Sequence, residues 1–213
     1  MNYFVSALIG YLLGSIPTAY LILKRSKGID IRQEGSKNVG TRNVYRLSKS
    51  KLLTSSVLIV DLGKGALGAL IPILIFGPVF IYPAVSSIFA IFAHCFNPWL
   101  EFKGGRGLAT AAGTSIIIFP YLLIVWVVLW AIFFAIKKDI PFSNISATVM
   151  SIILIFNTAE IAIKYANPVP GNISDLILFV ISVLLIIFIK HIDRLTELIY
   201  DKKIFRIKKN DKP

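Results

Sequence analysis

Long apolar runs separated by short polar segments dominate this chain. The runs occupy residues 3–23, 52–76, 80–96, 108–136, 143–163 and 175–190. A stretch of about 20 apolar residues is long enough to cross the hydrocarbon core of a bilayer as a helix. The pattern therefore predicts an all-α integral membrane protein. Since no internal repeat or low-complexity linker interrupts it, residues 1–200 are expected to form one domain, followed by a basic tail at 201–213.

The run at 108–136 is too long for one upright span, and it contains Phe119-Pro120. A proline can end one helix and occupy the first turn of the next. Division at this point predicts about seven transmembrane helices, with the N-terminus outside and the C-terminus in the cytoplasm. As a helix, residues 108–119 would reach only about 18 Å against a core of about 30 Å, so this piece is expected to be short or re-entrant.

The net charge of +12 follows the topology of a membrane protein. Lysines and arginines cluster between the first two runs and again from Lys190 to Lys212, which is the distribution of the positive-inside rule. With the predicted topology, only Lys164 among the basic residues outside the runs would face out. No nucleic-acid-binding motif accompanies the charge. We therefore expect the basic residues to lie against membrane lipids and not to bind nucleic acid.

Few residues suited to metal binding are available. The chain has a single cysteine, Cys95, and two histidines, His94 and His191. These numbers exclude a cysteine cluster and a histidine-rich site, so we expect neither a metal nor a cofactor.

A polar segment from Gly35 to Arg46 stands out between the first two runs. A basic loop that only sets topology needs charge, yet this segment also holds glycine, serine and asparagine among its cations. Glycine permits close approach of the backbone to a ligand, asparagine offers neutral donors and acceptors, and arginine fits phosphate. The candidate binding residues in this segment are Ser36, Asn38, Gly40, Asn43 and Arg46.

A second polar segment is Lys103-Gly104-Gly105-Arg106-Gly107, directly before a predicted helix at Leu108. Backbone N–H groups of such a turn, together with a helix N-terminus, favour an anion. A flexible turn is the alternative interpretation. In the predicted topology both polar segments face the cytoplasm, so together they predict a phosphorylated substrate at the membrane surface.

Polar residues within or at the ends of the apolar runs are further candidates. Asp61 and Lys64 lie in the second run and could form a local ion pair or bind substrate. His94 could be a core or a site residue, and His191 an interface or a site residue. Ser143 begins a run, where a helix N-cap is the simpler explanation.

These motifs together resemble the bacterial acyl-phosphate:glycerol-3-phosphate acyltransferase family from about residue 3 to residue 200. The residues that match the family pattern are Gly14 to Pro17, Gly35, Ser36, Asn38, Gly40, Asn43, Arg46, Asp61, Lys64, Gly65, His94, Gly104, Gly105, Gly107 and His191. Four positions depart from it: Arg42 stands for threonine, Ala93 for glycine, Arg106 for lysine and Arg194 for asparagine.

The resemblance implies transfer of an acyl group from acyl phosphate to the 1-hydroxyl of glycerol 3-phosphate, in a bacterial inner membrane with the site on the cytoplasmic side. Products would be lysophosphatidic acid and phosphate, and the enzyme that forms acyl phosphate would be a partner. It implies catalytic roles for Ser36, Arg46 and His191, and substrate binding by Asn38, Gly40, Asn43, Lys103, Gly104, Gly105, Arg106 and Ser143. Lys64, His94 and Arg194 are further candidates.

Other functions stay open at this point. The departures at Arg42, Arg106 and Arg194 also fit an inactive or altered-substrate paralogue that partners a true acyltransferase. A transporter for phosphorylated compounds would commonly show an inverted repeat, and none is visible. The soluble-type acyltransferase motif His-x4-Asp is absent, since Trp99 and Thr196 stand five positions after the two histidines.

Overall fold

The computed structural model describes residues 1–210, with side chains for residues 1–192. This part of the chain is helical, joined by loops and by two 3-10 turns, Pro98–Leu100 and Ile163–Tyr165. Its helices are α1 (Asn2–Gly14), α2 (Thr18–Lys27), α3 (Thr41–Ser48), α4 (Lys51–Phe76), α5 (Ile81–Cys95), α6 (Leu108–Ile118), α7 (Pro120–Lys137), α8 (Ile140–Asn157), α9 (Ala159–Ala162) and α10 (Ile173–Asn210).

Five segments within the described residues are long and apolar enough to cross a membrane. They are Asn2–Lys27, Lys51–Phe76, Pro120–Lys137, Ile140–Asn157 and Ile173–Ile192. The all-α membrane class is thus confirmed. Since α5 and α6 have only 15 and 11 residues, the count of seven crossings and the orientation of the termini stay predictions.

The predicted division of the long run at Phe119-Pro120 is confirmed. Helix α6 ends at Ile118 and α7 begins at Pro120, whose missing N–H is harmless in a first turn. Phe119 between them is fully buried. The Ile118 carbonyl at the end of α6 accepts a hydrogen bond from Asn167 N at 2.9 Å.

The first span is broken between α1 and α2. Pro17 precedes α2, and the break takes the carbonyls of Ser15 and Ile16 out of the regular helical pattern of hydrogen bonds. Carbonyls outside that pattern need other internal partners in a membrane. Asn97 Nδ2 donates to the Ser15 carbonyl at 2.7 Å, and Lys64 Nζ donates to the Ile16 carbonyl at 3.2 Å. The Gly14-to-Pro17 motif therefore connects α1 with α4 and with the turn after α5.

Helix α8 begins three residues earlier than its apolar run. Asp139 is its N-cap and accepts a hydrogen bond from Phe142 N at 2.7 Å. The interpretation of Ser143 as an N-cap is therefore wrong. Ser143 lies inside the first turns, where its Oγ donates to the Asp139 carbonyl at 2.6 Å.

Glycines let the central helices approach each other closely. A Cβ atom on Gly10 or Gly14 would collide with the backbone of α5, and one on Gly65 or Gly113 would collide across the α4–α6 contact. Small residues of this kind are typical of helix pairs in membranes, where backbones approach without intervening side chains. These contacts fix the positions of the loops that follow α1, α5 and α4.

Two buried hydrophobic clusters support the helices. The larger one includes Phe80, Phe119 and Phe179 and lies among the helices of the bundle. The smaller one lies under the polar segment and includes Leu23 of α2, Val44 of α3 and Val57 of α4. The smaller cluster attaches the polar segment to the membrane helices.

Candidate active site

The polar segment between α2 and α3 is held in shape by one side chain, Asn43. Its Oδ1 accepts from Ser36 N at 3.0 Å, and its Nδ2 donates to the carbonyls of Glu34 and Asn38, each at 3.1 Å. Asn43 is buried, and a Cβ atom on Gly35 would collide with its Oδ1. The structure thus places Asn43 behind the loop, where it orients Ser36 and Asn38.

Helix α3 begins after Gly40 and carries two arginines of interest. Gly40 is extended, and a Cβ atom there would lie 2.8 Å from Asn38 Nδ2, so the glycine makes room for that amide. Arg42 and Arg46 are both exposed on this helix.

The glycine-rich segment 103–107 is folded tightly against the end of α5. Gly105 N donates to the His94 carbonyl at 3.0 Å, and a Cβ atom on Gly104 or Gly105 would collide with His94. Gly107, with φ of 80°, precedes α6, and a Cβ there would lie 2.8 Å from Cys95 Sγ. Glycine is needed at these positions because the backbone itself packs on α5.

A buried group of charged residues lies beneath this segment. Asp61 Oδ1 is 2.8 Å from Lys64 Nζ and 3.8 Å from His94 Nδ1, and all three side chains are buried. Of the two predicted alternatives for Lys64 and Asp61, the structure contains the local ion pair, and a role in binding substrate stays a prediction. Through His94 and Lys64 the group also supports the glycine-rich segment and the break after α1.

A cavity of about 450 Å³, here called the polar cavity, lies between the two polar segments. Five basic side chains line it against one carboxylate, that of Glu101. A concave site with one dominant sign of charge concentrates anions. Its lining residues are Arg32, Gln33, Ser36, Lys37, Asn38, Glu101, Phe102, Lys103, Gly104, Arg106 and Lys190.

A second cavity, here the side cavity, has a volume of about 490 Å³ and shares Asn38 and Arg106 with the polar cavity. Its other polar lining includes Arg42, Asp61, His94 and Asn144, but most of its wall is apolar. It shares Leu108, Ala112 and Trp126 with an apolar pocket of about 160 Å³ between α6, α7 and α10. The three cavities therefore form a series from cationic to apolar surroundings.

His191 is buried at the end of the last membrane span, beside the side cavity. Its Nε2 is 3.1 Å from Asn144 Nδ2, and its Nδ1 is 2.7 Å from the Ile187 carbonyl. Asn144 lines the side cavity, whereas the neighbouring Ser143 is buried and lines neither large cavity. Arg46 also lines neither of them, and the side chain of Arg194 lies outside the described residues.

Sequence reasoning missed Arg32 and Lys190, which both line the polar cavity. Arg32 donates to Asp30 Oδ2 at 2.7 Å and lies over the Tyr20 ring, and its hydrogen bond holds the pKa of Asp30 below the ordinary value. Lys190 Nζ lies 4.9 Å from the centre of the Phe96 ring. The adjacency of Lys190 to His191 in the sequence was the available signal for the second residue.

Metal binding has no obvious place in the described part of the chain. Within it, no group of three or more histidine, cysteine, aspartate or glutamate side chains is arranged to hold a metal ion.

These features define a helical membrane protein with a basic cavity that adjoins a mostly apolar one. The family profile "Glycerol-3-phosphate acyltransferase" matches residues 4–201. The chain therefore belongs to the glycerol-3-phosphate acyltransferase family and is an acyltransferase of phospholipid synthesis.

Curated relatives carry the same name. The glycerol-3-phosphate acyltransferase of Exiguobacterium sibiricum is 43% identical over 118 residues, which cover 55% of this chain and 56% of the relative. That of Bacillus subtilis is 35% identical over 149 residues, covering 70% of this chain and 76% of the relative.

Solved structures show the same fold over nearly the whole length. The crystal structure of PlsY, an integral membrane glycerol 3-phosphate acyltransferase, in its glycerol 3-phosphate form superimposes with a TM-score of 0.76 at 26% identity, covering 94% of each chain. Its lysophosphatidic acid form gives a TM-score of 0.74 at the same identity, covering 94% of this chain and 93% of that one.

Proposed function

We propose that this chain transfers an acyl group from acyl phosphate to the 1-hydroxyl of glycerol 3-phosphate, releasing lysophosphatidic acid and inorganic phosphate. The observation that carries the proposal is the joined pair of cavities. One is lined by five cations and the next by mostly apolar side chains. Such a pair suits two phosphate groups on one side and a lipid chain on the other.

In this mechanism the substrate hydroxyl oxygen attacks the acyl carbonyl carbon, and the bond from that carbon to the phosphate oxygen breaks. Phosphate is a sufficient leaving group, so catalysis comes from positioning and from stabilising the developing negative charge. The donor phosphate accepts the hydroxyl proton as it leaves.

We assign the phosphate groups to the polar cavity. Lys103, Arg106 and Lys190 supply charge there, while Ser36 and Asn38 supply neutral hydrogen bonds. The backbone at Gly104 and Gly105 shapes the wall. Asn43 and Gly40 contribute by holding the loop in place, because the amide of Asn43 is occupied by backbone groups.

The acyl chain is assigned to the side cavity and the apolar pocket, whose shared residues Leu108, Ala112 and Trp126 form the passage. His191 contacts Asn144 in the wall of the side cavity and is proposed to orient the hydroxyl. Ser143 would act indirectly, by holding the start of α8 beside Asn144.

The family resemblance and the cavity geometry favour different arginines of α3 for a role in catalysis. The resemblance assigns catalysis to Arg46, whereas Arg42 lines the side cavity. Arg46→Ala should abolish turnover while membrane insertion is retained, and Arg42→Ala should lower it less. Full activity of Arg46→Ala would remove that residue from the mechanism.

The charge distribution also supports a position in the bacterial inner membrane with the polar cavity in the cytoplasm. There the acceptor is soluble, and the donor would arrive through the membrane from the enzyme that forms it. Because the donor is amphipathic, the membrane would dissolve its acyl chain and would also be the route by which it reaches the site.

The deciding experiment uses the purified chain in lipid, supplied with palmitoyl phosphate with and without glycerol 3-phosphate. Phosphate release that depends on the acceptor, together with a lysophosphatidic acid product, is the expected result. Arg106→Ala should reduce the rate by about 10²- to 10³-fold. Arg25→Ala, on exposed α2, is the matched control and should leave the rate unchanged.

The competing interpretation is an inactive or altered-substrate partner of a true acyltransferase. The relatives described above do not favour it, since they carry the acyltransferase name. No release by this chain beside an active Bacillus subtilis relative would contradict the proposed function and support that alternative.

A further inference from the structure

A buried chain of hydrogen bonds connects α7, α8 and α10 at the edge of the side cavity. Trp130 Nε1 is 2.7 Å from Asn144 Oδ1, and Asn144 Nδ2 is 3.1 Å from His191 Nε2. His191 Nδ1 is 2.7 Å from the Ile187 carbonyl oxygen. Asn144 and His191 are both buried, so water does not replace these partners.

The groups at the two ends fix which atom donates and which accepts in each of these hydrogen bonds. The indole N–H of Trp130 can only donate, so the oxygen of the Asn144 amide must face it. The amide nitrogen then faces His191, and it too can only donate. At the other end the Ile187 carbonyl can only accept, so His191 Nδ1 must carry a hydrogen.

The only protonation state that satisfies both neighbours of His191 is the neutral ring with hydrogen on Nδ1. An unprotonated Nε2 accepts from a hydroxyl and cannot donate to a phosphate oxygen. Asn144 lines the side cavity together with Arg106, where the acyl and phosphate ends of the donor meet.

We propose that Asn144, itself oriented by Trp130, is a positioning residue that holds His191 as the neutral Nδ1–H tautomer in the free protein, and that the substrate hydroxyl then takes the place of the Asn144 N–H at Nε2. The second half of this statement depends on the proposed acyltransferase function. The first half concerns the free protein only.

The first test is ¹⁵N NMR of protein labelled at histidine, in lipid nanodiscs. The sequence has two histidines, so two rings appear, and His191→Gln identifies the signals. His191 should show a protonated Nδ1 and an unprotonated Nε2. Asn144→Leu and Trp130→Phe should each shift these signals toward a mixture of tautomers.

A matched control lies farther along the same helix, α8. Asn157 is exposed, and its Nδ2 donates to the Ile153 carbonyl of that helix at 2.8 Å. Asn157→Leu makes the same substitution away from the hydrogen bonds of His191. It should leave the His191 signals and the transfer rate unchanged.

The second test is the transfer reaction. Asn144→Leu should lower kcat/KM for glycerol 3-phosphate by roughly 10- to 100-fold, as expected for a misplaced reacting group, with the KM for palmitoyl phosphate nearly unchanged. Asn144→Gln, which keeps the amide, should recover part of that loss. Trp130→Phe serves as the second variant if Asn144→Leu does not fold.

The proposal is overturned if the His191 nitrogen signals stay the same in Asn144→Leu and Trp130→Phe. It is also overturned if Asn144→Leu and Asn157→Leu lose activity in parallel, which would show a purely structural role. If the wild-type protein shows the expected tautomer but no acyl transfer, the proposed function is contradicted. The inference that Asn144 sets the tautomer of His191 would still be supported.

Discussion

Asn43 shapes the loop between α2 and α3 from its buried side. Its side chain makes hydrogen bonds to Ser36, Glu34 and Asn38 from a buried position. Residue type alone predicted a polar contact, and the partner is the backbone of the chain itself. A loop that carries glycine and several cations needs such an internal scaffold because little else in it packs.

Replacement of Asn43 by alanine should loosen this loop. Each backbone group left without a partner costs about 1–3 kcal/mol where water cannot reach it. We expect a lower thermal midpoint and faster trypsin cleavage after Lys37. Asn157→Ala is the control, since Asn157 is exposed and bonds only within its own helix. Equal behaviour of the two variants would contradict the scaffold role.

At the scale of elements, glycine decides where helices meet. Gly65 and Gly63 lie on the same helix, α4, yet only Gly65 abuts another backbone, that of Thr110 in α6. Nothing lies within 4 Å of a Cβ atom placed on Gly63. The pair therefore separates the effect of helix contact from the effect of helix propensity.

Gly65→Ala should destabilise the protein by about 1–3 kcal/mol, because its methyl group forces α4 and α6 apart. Gly63→Ala should be neutral or stabilising by up to about 1 kcal/mol, since alanine favours the helix. Thermal unfolding in detergent measures both. A similar loss in the two variants would mean that the α4–α6 contact is not limiting.

For the whole molecule, the important feature is that cavities of different polarity adjoin each other. The side cavity shares lining residues with the polar cavity and also with the apolar pocket. Helices far apart in the sequence line these cavities. The proposed function places one amphipathic donor along them.

Ala112 lies at the junction of the side cavity and the apolar pocket. Ala112→Phe should block the passage, so that activity with long acyl phosphates falls while short ones are still used. Ala131→Phe, on an exposed part of α7, is the control and should keep the chain-length profile of the wild type. An unchanged profile in Ala112→Phe would place the acyl chain elsewhere.

The predicted topology has seven crossings with the N-terminus outside, and labelling can test it. Lys137→Cys should be protected from a membrane-impermeant maleimide in intact spheroplasts, and Lys164→Cys should react. Both positions are exposed, and the native Cys95 is buried. Reaction of both, or of Lys137→Cys alone, would contradict the predicted topology.

The sequence by itself determined the membrane class, the division at Pro120 and the residues of the two polar segments. Hydrophobic length and proline chemistry are local, and they can be read without knowing which helices touch. The motifs around Ser36 and Arg106 were visible for the same reason, since glycines and cations between two apolar runs can be read directly from the sequence.

Only the tertiary structure decided which of these residues line a cavity. In the structure, Asn43 bonds to the loop backbone. Lys190 and Arg32 line the polar cavity, and Asn144 contacts His191. Such outcomes depend on the rotation and separation of helices, which are set by contacts such as those of Gly14 and Gly65 between distant segments. A one-residue difference along α8 separates a buried Ser143 from an Asn144 in the cavity wall, because neighbouring positions on a helix point about 100° apart.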